Sequence, residues 1–86
     1  MAVSFQLRRE WYDKIVDGSK QIEYRACTDF WRKRLSNCSP GDEAVFLCGQ
    51  DVTRGTVRAI QIVKRPPDIP EDAVATEDCY AVHFSL

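Results

Sequence analysis

The sequence has few of the residues from which metal and redox sites are built. Its 86 residues include one histidine and four cysteines, Cys27, Cys38, Cys48 and Cys79. No two cysteines stand in a C-x-x-C pair, which is a spacing typical of structural zinc sites. Isolated cysteines in a short chain are typical of reduced thiols in the cytosol. We therefore predict a cytoplasmic protein with no metal and no cofactor.

The sequence also lacks an excess of charge and a long apolar run. Twelve Lys and Arg against thirteen Asp and Glu give a formal net charge of −1, which excludes polybasic binding through bulk charge. No stretch reaches the ~18–20 apolar residues of a membrane span, and the N-terminus lacks a signal-peptide core. Residues 1–40 nevertheless hold eight basic and five acidic side chains, against four and eight in residues 41–86. This asymmetry predicts a locally cationic face.

The chain contains enough apolar material for one core. Hydrophobic residues make up 44% and charged residues 29% of the sequence, as in ordinary globular proteins. A chain of this size forms one core, so we interpret residues 1–86 as a single domain.

Alternating and helical patterns divide the chain into strands and two short helices. Alternation predicts strands over 2–7, 20–26 and 79–85, and apolar β-branched runs predict a hairpin of 43–48 with 53–64. An i,i+4 stripe that begins at Trp11 predicts a helix ending at Gly18, and a second helical segment covers 30–35. We expect Trp11 and Tyr24 in the core. Five strands in so short a chain are buried economically by curling, so we predict an α+β fold with a small barrel or half-barrel.

One segment carries a chemical signal. Gly18, Lys20, Glu23 and Arg25 form the spacing G-x-K-x-x-E-x-R where the first helix gives way to a strand. Glu23 and Arg25 lie on one strand face, roughly 6.5–7 Å apart between Cα atoms, and Lys20 stands at the strand mouth. A carboxylate accepts from base amino groups, whereas Arg and Lys hold phosphate or carbonyl oxygens. The segment therefore predicts a site for a small polar ligand, and a surface ladder of ion pairs is the alternative.

At these residues the chain resembles the ASCH (activating-signal-cointegrator homology) domain, a branch of the PUA-like superfamily. The resemblance rests on the helix 11–17, the motif, the Pro40-Gly41-Asp42 turn and the strand 80–84. It implies a PUA-like β-barrel of five or six strands with two short helices and a cleft lined by Lys20, Glu23 and Arg25. It also implies binding of RNA or of a modified nucleotide in that cleft.

The resemblance leaves an enzymatic alternative open. One branch of the family hydrolyses acylated cytidines and another is described as ribonuclease, so we keep a nucleoside amidohydrolase or a ribonuclease as the alternative. In the amidohydrolase branch a threonine nucleophile stands where this chain has Glu23. Hydrolysis here would therefore use water, with Lys20 or Glu23 as the base.

A third alternative is a protein-interaction or inhibitor module without affinity for nucleic acid. Such a module would pair an exposed barrel edge with a strand of its partner.

The segment Phe30–Arg34 combines aromatic and basic side chains, as do surfaces that stack bases and hold phosphates. We therefore add Trp31, Arg32 and Arg34 to Lys20, Glu23 and Arg25 as predicted ligand-binding residues, with RNA, DNA or a free nucleoside as candidate ligands. The alternative is that Trp31 covers the barrel end while the basic groups are solvated. From the acidic loop that follows Pro66, Glu71 is the carboxylate that we expect to lie nearest the cleft.

Overall fold

The computed structural model describes residues 1–86, which form five strands and two helices. The strands are β1 (Ala2–Gln6), β2 (Ile22–Ala26), β3 (Glu43–Cys48), β4 (Asp51–Lys64) and β5 (Asp78–Ser85). The helices are α1 (Arg9–Val16) and α2 (Asp29–Ser36). The predicted α+β class with two short helices is confirmed. No helix is long and apolar enough to cross a membrane.

One sheet contains all five strands in the order β1-β3-β4-β5-β2. β1 runs parallel to β3, and the other neighbouring pairs are antiparallel. The 14 residues of β4 pair first with β3 and then with β5, and a register shift between Val57 and Ala59 marks a bulge. Bulges bend a strand and increase its twist. The sheet accordingly curls into a half-barrel whose two outer strands are β1 and β2.

Aromatic side chains from three strands form the centre of the core. The ring centroids of Phe5 and Phe46 lie 5.6 Å apart, and those of Phe46 and Phe84 lie 4.5 Å apart. Each helix has eight residues, a length at which an isolated helix is marginal in water. Packing therefore stabilises both helices, through Tyr12 and Ile15 of α1 and through Leu35 of α2. The side chain of Thr28 also accepts a hydrogen bond from the Trp31 amide at the start of α2.

The hairpin of β3 and β4 turns more tightly than predicted. Cys48 pairs directly with Asp51, so β4 begins two residues before the expected Thr53. Two residues remain for the turn, and Gly49 occupies the left-handed region with φ of 59°. A glycine at this position permits the short turn.

The prediction that Trp11 belongs to the core is wrong. Tyr12 and Ile15 form the buried stripe of α1, whereas Trp11 lies at its edge and is half-buried. Tyr24 is also half-buried, although it packs against a small second cluster of Ile69, Val74 and Cys79. Both aromatic side chains line cavities, which are described below.

All four cysteines are free thiols, of which Cys48 and Cys79 are buried and Cys27 and Cys38 are half-buried. Burial is the main cause that raises the pKa of the Cys27 and Cys38 thiols above the ordinary value. The charge of Asp78 raises the pKa of Cys27 further, and the charge of Asp42 does the same for Cys38. The raised pKa lowers the fraction of thiolate, which is the nucleophilic form. These two thiols should therefore react more slowly near neutral pH than an ordinary exposed cysteine.

We predict that Cys27 and Cys38 react slowly with iodoacetamide at pH 7 and that their alkylation rate keeps rising above pH 9.0, the ordinary thiol pKa. Mass spectrometry against time at several pH values measures the rates. The same protein unfolded in urea is the control, and its thiols should show an alkylation midpoint near the ordinary value. Equal midpoints for folded and unfolded protein would contradict the prediction.

Gly55 of β4 lies directly against the end of β5. A Cβ atom at this position would stand 2.6 Å from the backbone oxygen of Ser85 and 3.2 Å from Cδ2 of Leu86. The first distance is far shorter than a van der Waals contact, and the Ser85 oxygen cannot move aside without moving the backbone of β5. The close approach of the two strands therefore requires glycine.

We expect Gly55→Ala to lower the free energy of unfolding by roughly 1–3 kcal/mol, as overpacking typically does. Urea denaturation followed by circular dichroism measures the change. The neighbouring Arg54→Ala is the matched control, since Arg54 is exposed and its loss should change stability by about 0.5 kcal/mol or less. Equal stabilities of the two variants would show that β5 moves aside without cost.

Candidate functional site

The turn after α1 places Lys20 at the mouth of β2. The amide of Gly18 donates to the carbonyl of Ile15, and the amide of Lys20 donates to the carbonyl of Lys14. Gly18 adopts a φ of 87°, a left-handed conformation that glycine takes readily just past a helix end. The glycine of the motif thus reverses the chain so that the lysine faces the strand that carries Glu23 and Arg25.

The carboxylate of Glu23 is buried between two cations. Glu23 is 4% exposed and is the one charged residue in the buried set. Lys20 Nζ lies 3.2 Å from Glu23 Oε1, and Arg25 Nη2 and Nε lie 2.6 and 2.8 Å from Oε2. A buried carboxylate is tolerated when both oxygens are paired and hydrogen-bonded in this way. The three side chains therefore form one cluster with a formal charge of +1.

Arg25 also connects the two outer strands of the sheet. Its Nη2 donates to the backbone oxygen of Gln6 at 2.8 Å, which joins β2 to the end of β1. Its guanidinium carbon lies 4.9 Å from the ring centroid of Trp31 and 5.4 Å from that of Phe5, within the range of cation–π attraction. Arg25 is therefore held by a carboxylate, a carbonyl and two rings at once.

Lys20 is fixed from three directions. Its Nζ donates to the backbone oxygen of Ile22 at 2.6 Å in addition to its contact with Glu23. The same nitrogen lies 5.6 Å from the ring centroid of Trp11 and 5.5 Å from that of Tyr24. The motif's cations are thus preorganised by packing, which lowers the entropy lost when a ligand binds.

The cluster lines a cavity of about 130 Å³. Trp11 and Tyr24 contribute to its walls, and the loop between β4 and β5 contributes residues 69 and 72–74. A cavity of ~150 Å³ accommodates a benzene ring, so this cavity matches one six-membered ring. Its lining contains no Ser, Thr, Cys or His side chain.

The carboxylate nearest the cavity from the acidic loop is Asp72 and not the expected Glu71. Asp72 lines the cavity and lies 3.7 Å from Arg8 Nη1 across its rim. Glu71 instead pairs with Arg65 at 3.5 Å. Arg65 also donates to the backbone oxygen of Val74 at 3.0 Å, which holds this part of the loop over the cavity.

The hydroxyl of Tyr24 stays protonated at neutral pH. Burial raises its pKa above the ordinary value, and the charges of Asp68 and Cys79 raise it further. Tyr24 therefore presents a hydrogen-bond donor to the cavities that it lines. No group of three His, Cys, Asp or Glu side chains lies close enough together to hold a metal ion.

The predicted residues of α2 separate into two groups. Trp31 is half-buried and stacks on Phe5 with 5.4 Å between centroids, so it covers the barrel end and contacts the cleft through Arg25. Arg34 lies 5.6 Å from the Trp31 ring and 4.8 Å from the Phe30 ring. Arg32 is exposed and pairs with Asp29 at 3.0 Å. Trp31 thus contacts the Glu23 cluster through Arg25, but none of the three predicted residues of α2 lines the cavity.

Phe30 is a candidate stacking residue that the sequence analysis did not select. It is 59% exposed, and its ring meets Trp31 edge-on at 5.4 Å. We predicted Trp31 as the stacking residue because its indole ring is larger, but Phe5 already stacks on that ring. The position of Phe30 in the first turn of α2, one residue before the half-buried Trp31, was the available signal.

Comparisons with protein-family models, with curated proteins and with solved structures give no match for this chain.

We predict that Glu23→Gln lowers the free energy of unfolding by about 2–4 kcal/mol, because it leaves Lys20 and Arg25 without a buried counter-charge. The control is Glu77→Gln, which removes an exposed partner of Lys64 and should change stability by less than ~1 kcal/mol. Urea denaturation of both variants measures the difference. Equal effects would mean that the Glu23 cluster behaves as a surface ion pair.

Proposed function

We propose that this chain is an ASCH-like domain of the PUA-like class that binds RNA or a modified nucleotide in the cleft of Lys20, Glu23 and Arg25. The observation that carries the proposal is a buried carboxylate, clamped by two cations, that lines a cavity of about 130 Å³. Burying a carboxylate is costly for stability even when two half-buried cations pair with it. A ligand that uses them gives a functional reason for the arrangement.

The hydrogen-bonding capacity left in the cluster suits the edge of a base. A carboxylate offers about four acceptor sites, and the hydrogen bond that Glu23 accepts within the protein comes from Arg25 Nε to Oε2. Oε1 forms an ion pair with Lys20 and keeps acceptor capacity for a ligand, beside the donors of Lys20 and Arg25 that are not used within the protein. Base edges present amino donors next to carbonyl or ring-nitrogen acceptors. The cleft therefore matches a base better than it matches a simple anion.

The size of the cavity favours a single ring. Its volume of about 130 Å³ is close to that needed for one six-membered ring, and Trp11 and Tyr24 supply aromatic surface beside it. Bases stack readily on such side chains. We therefore propose a pyrimidine-sized ring as the group that enters the cleft.

α2 supplies the electrostatic part of the affinity in this proposal. Lys33 and Arg34 have no carboxylate partner, and Arg34 lies over the Trp31 ring, which also contacts Arg25 of the cluster. Cations that neutralise phosphates make binding salt-dependent. Affinity for a strand should therefore fall with salt more steeply than affinity for a single nucleoside.

The hydrolase alternative has less support from the site. Lys20 donates to the Ile22 backbone oxygen and forms an ion pair with Glu23, so the two candidate bases are already engaged with groups of the protein. The cavity lining also offers no hydroxyl or thiol nucleophile from Ser, Thr or Cys. Loss of the acyl group from N4-acetylcytidine, followed by chromatography, would favour hydrolysis over binding.

We predict that Lys20→Met weakens nucleoside and RNA binding by roughly tenfold, because it removes a charged donor from the cleft but keeps the apolar stem. Quenching of Trp fluorescence measures the affinity, since Trp11 lines the cavity. Lys64→Met is the matched control, because Lys64 is exposed and lines none of the described cavities. Circular dichroism verifies that both variants fold.

If a folded Lys20→Met variant binds nucleosides and RNA as tightly as the wild-type protein does, the cleft is not the binding site. If the wild-type protein binds neither nucleosides nor RNA, the protein-interaction alternative gains support.

A further inference from the structure

A second cavity of about 410 Å³ adjoins the cleft. The two cavities share Trp11, Lys20, Tyr24 and Ile69 in their walls. Lys20 therefore separates two spaces, of which the smaller contains the Glu23 cluster and the larger extends toward the end of α1. The two cavities are therefore direct neighbours that share one wall.

The cations of the second cavity differ in how they are neutralised. Lys14 Nζ and Lys20 Nζ lie 5.1 and 5.6 Å from the centroid of the Trp11 ring. Lys20 has its counter-charge in Glu23, whereas Lys14 has no carboxylate within ion-pair distance. Lys14 thus supplies an unpaired positive charge beside the cavity, held against an aromatic ring.

Other polar groups of this cavity are also free of partners within the protein. Lys14, the Gln21 amide and the Tyr24 hydroxyl line the cavity, and none of their side chains forms an internal hydrogen bond. All three can donate to an oxyanion. The one carboxylate in the lining is Asp68, which lies near Tyr24, since its charge contributes to the raised pKa of that hydroxyl.

We propose that the second cavity is a phosphate subsite, so that the ligand of this protein is a phosphorylated nucleotide whose ring enters the cleft and whose phosphate lies beside Lys14. The inference rests on the proposed function, because it assumes a base in the cleft. The phosphate belongs either to a mononucleotide or to the backbone of a strand, and both present the same oxyanion to Lys14.

Two substitutions that change the charge of the second cavity in opposite directions test the subsite. Lys14→Gln removes the unpaired cation and should weaken binding of phosphorylated ligands by roughly three- to tenfold. Asp68→Asn removes the opposing carboxylate and should tighten the same binding by about two- to threefold. Neither change should alter the affinity for a nucleoside that lacks phosphate. Lys64→Gln serves as the control for a general loss of positive charge.

The probes are cytidine and uridine, their 3′- and 5′-monophosphates, and a short single-stranded RNA, titrated by Trp fluorescence at low and moderate salt. If a monophosphate binds more tightly than its nucleoside, and Lys14→Gln abolishes that difference in affinity, the result supports a mononucleotide as the ligand. If Lys14→Gln weakens the binding of RNA but of no monophosphate, and lowers the slope of log affinity against log salt concentration by about one, the result supports a strand as the ligand.

Nucleoside binding without any effect of phosphate or of Lys14 would overturn the subsite and leave the proposed cleft intact. Absence of binding for every probe would overturn both proposals. Equal weakening of nucleosides and monophosphates in Lys14→Gln would also overturn the subsite, since it would show that Lys14 acts through the fold and not through phosphate.

Discussion

The burial of one carboxylate governs the arrangement of the site. A charged group removed from water costs several kcal/mol unless it is paired and hydrogen-bonded, and Glu23 is 4% exposed. This requirement explains the spacing of the motif. Strand alternation places residues 23 and 25 on one face, and the turn at Gly18 brings Lys20 to the other carboxylate oxygen. Changing Glu23 leaves both cations without their counter-charge, whereas changing Lys20 or Arg25 leaves the carboxylate with one of its two partners, so each substitution alters the environment of the other two side chains.

The same cluster also serves the fold. The strand order leaves β1 and β2 at the two ends of the sheet, and no backbone ladder joins them. Arg25 connects the two strands instead, because it donates a hydrogen bond to the backbone oxygen of Gln6. The stacked rings of Phe5 and Trp31 pack beside this contact. The seam of the half-barrel and the candidate binding site therefore use the same side chains. Stability and ligand affinity are coupled here, which is why each variant of the motif needs a measurement of folding next to a measurement of binding.

Local patterns predicted the elements but not the cavities. Alternation predicted β1, β2 and β5, and apolar β-branched runs predicted β3 and β4, with every boundary within two residues of the one observed. The motif spacing placed Lys20, Glu23 and Arg25 together for the same local reason. The roles of Trp11 and Asp72 were missed, since both depend on how the loop between β4 and β5 folds over α1. The burial of Glu23 was equally hidden, because a charged residue in an alternating strand is normally a solvated one. Long-range packing decided these features, and no period in the sequence encodes it.

The excess of positive charge in residues 1–40 rests on fewer free cations in the structure than the sequence predicts. Five of the eight cations in residues 1–40 have carboxylate partners, namely Arg8, Arg9, Lys20, Arg25 and Arg32. The three without partners are Lys14 at the end of α1, and Lys33 and Arg34 on α2. Two of these flank the motif, since Lys14 contacts Trp11 and Arg34 contacts Trp31. The unpaired positive charge of residues 1–40 therefore lies on the two helices and does not form one broad cationic face.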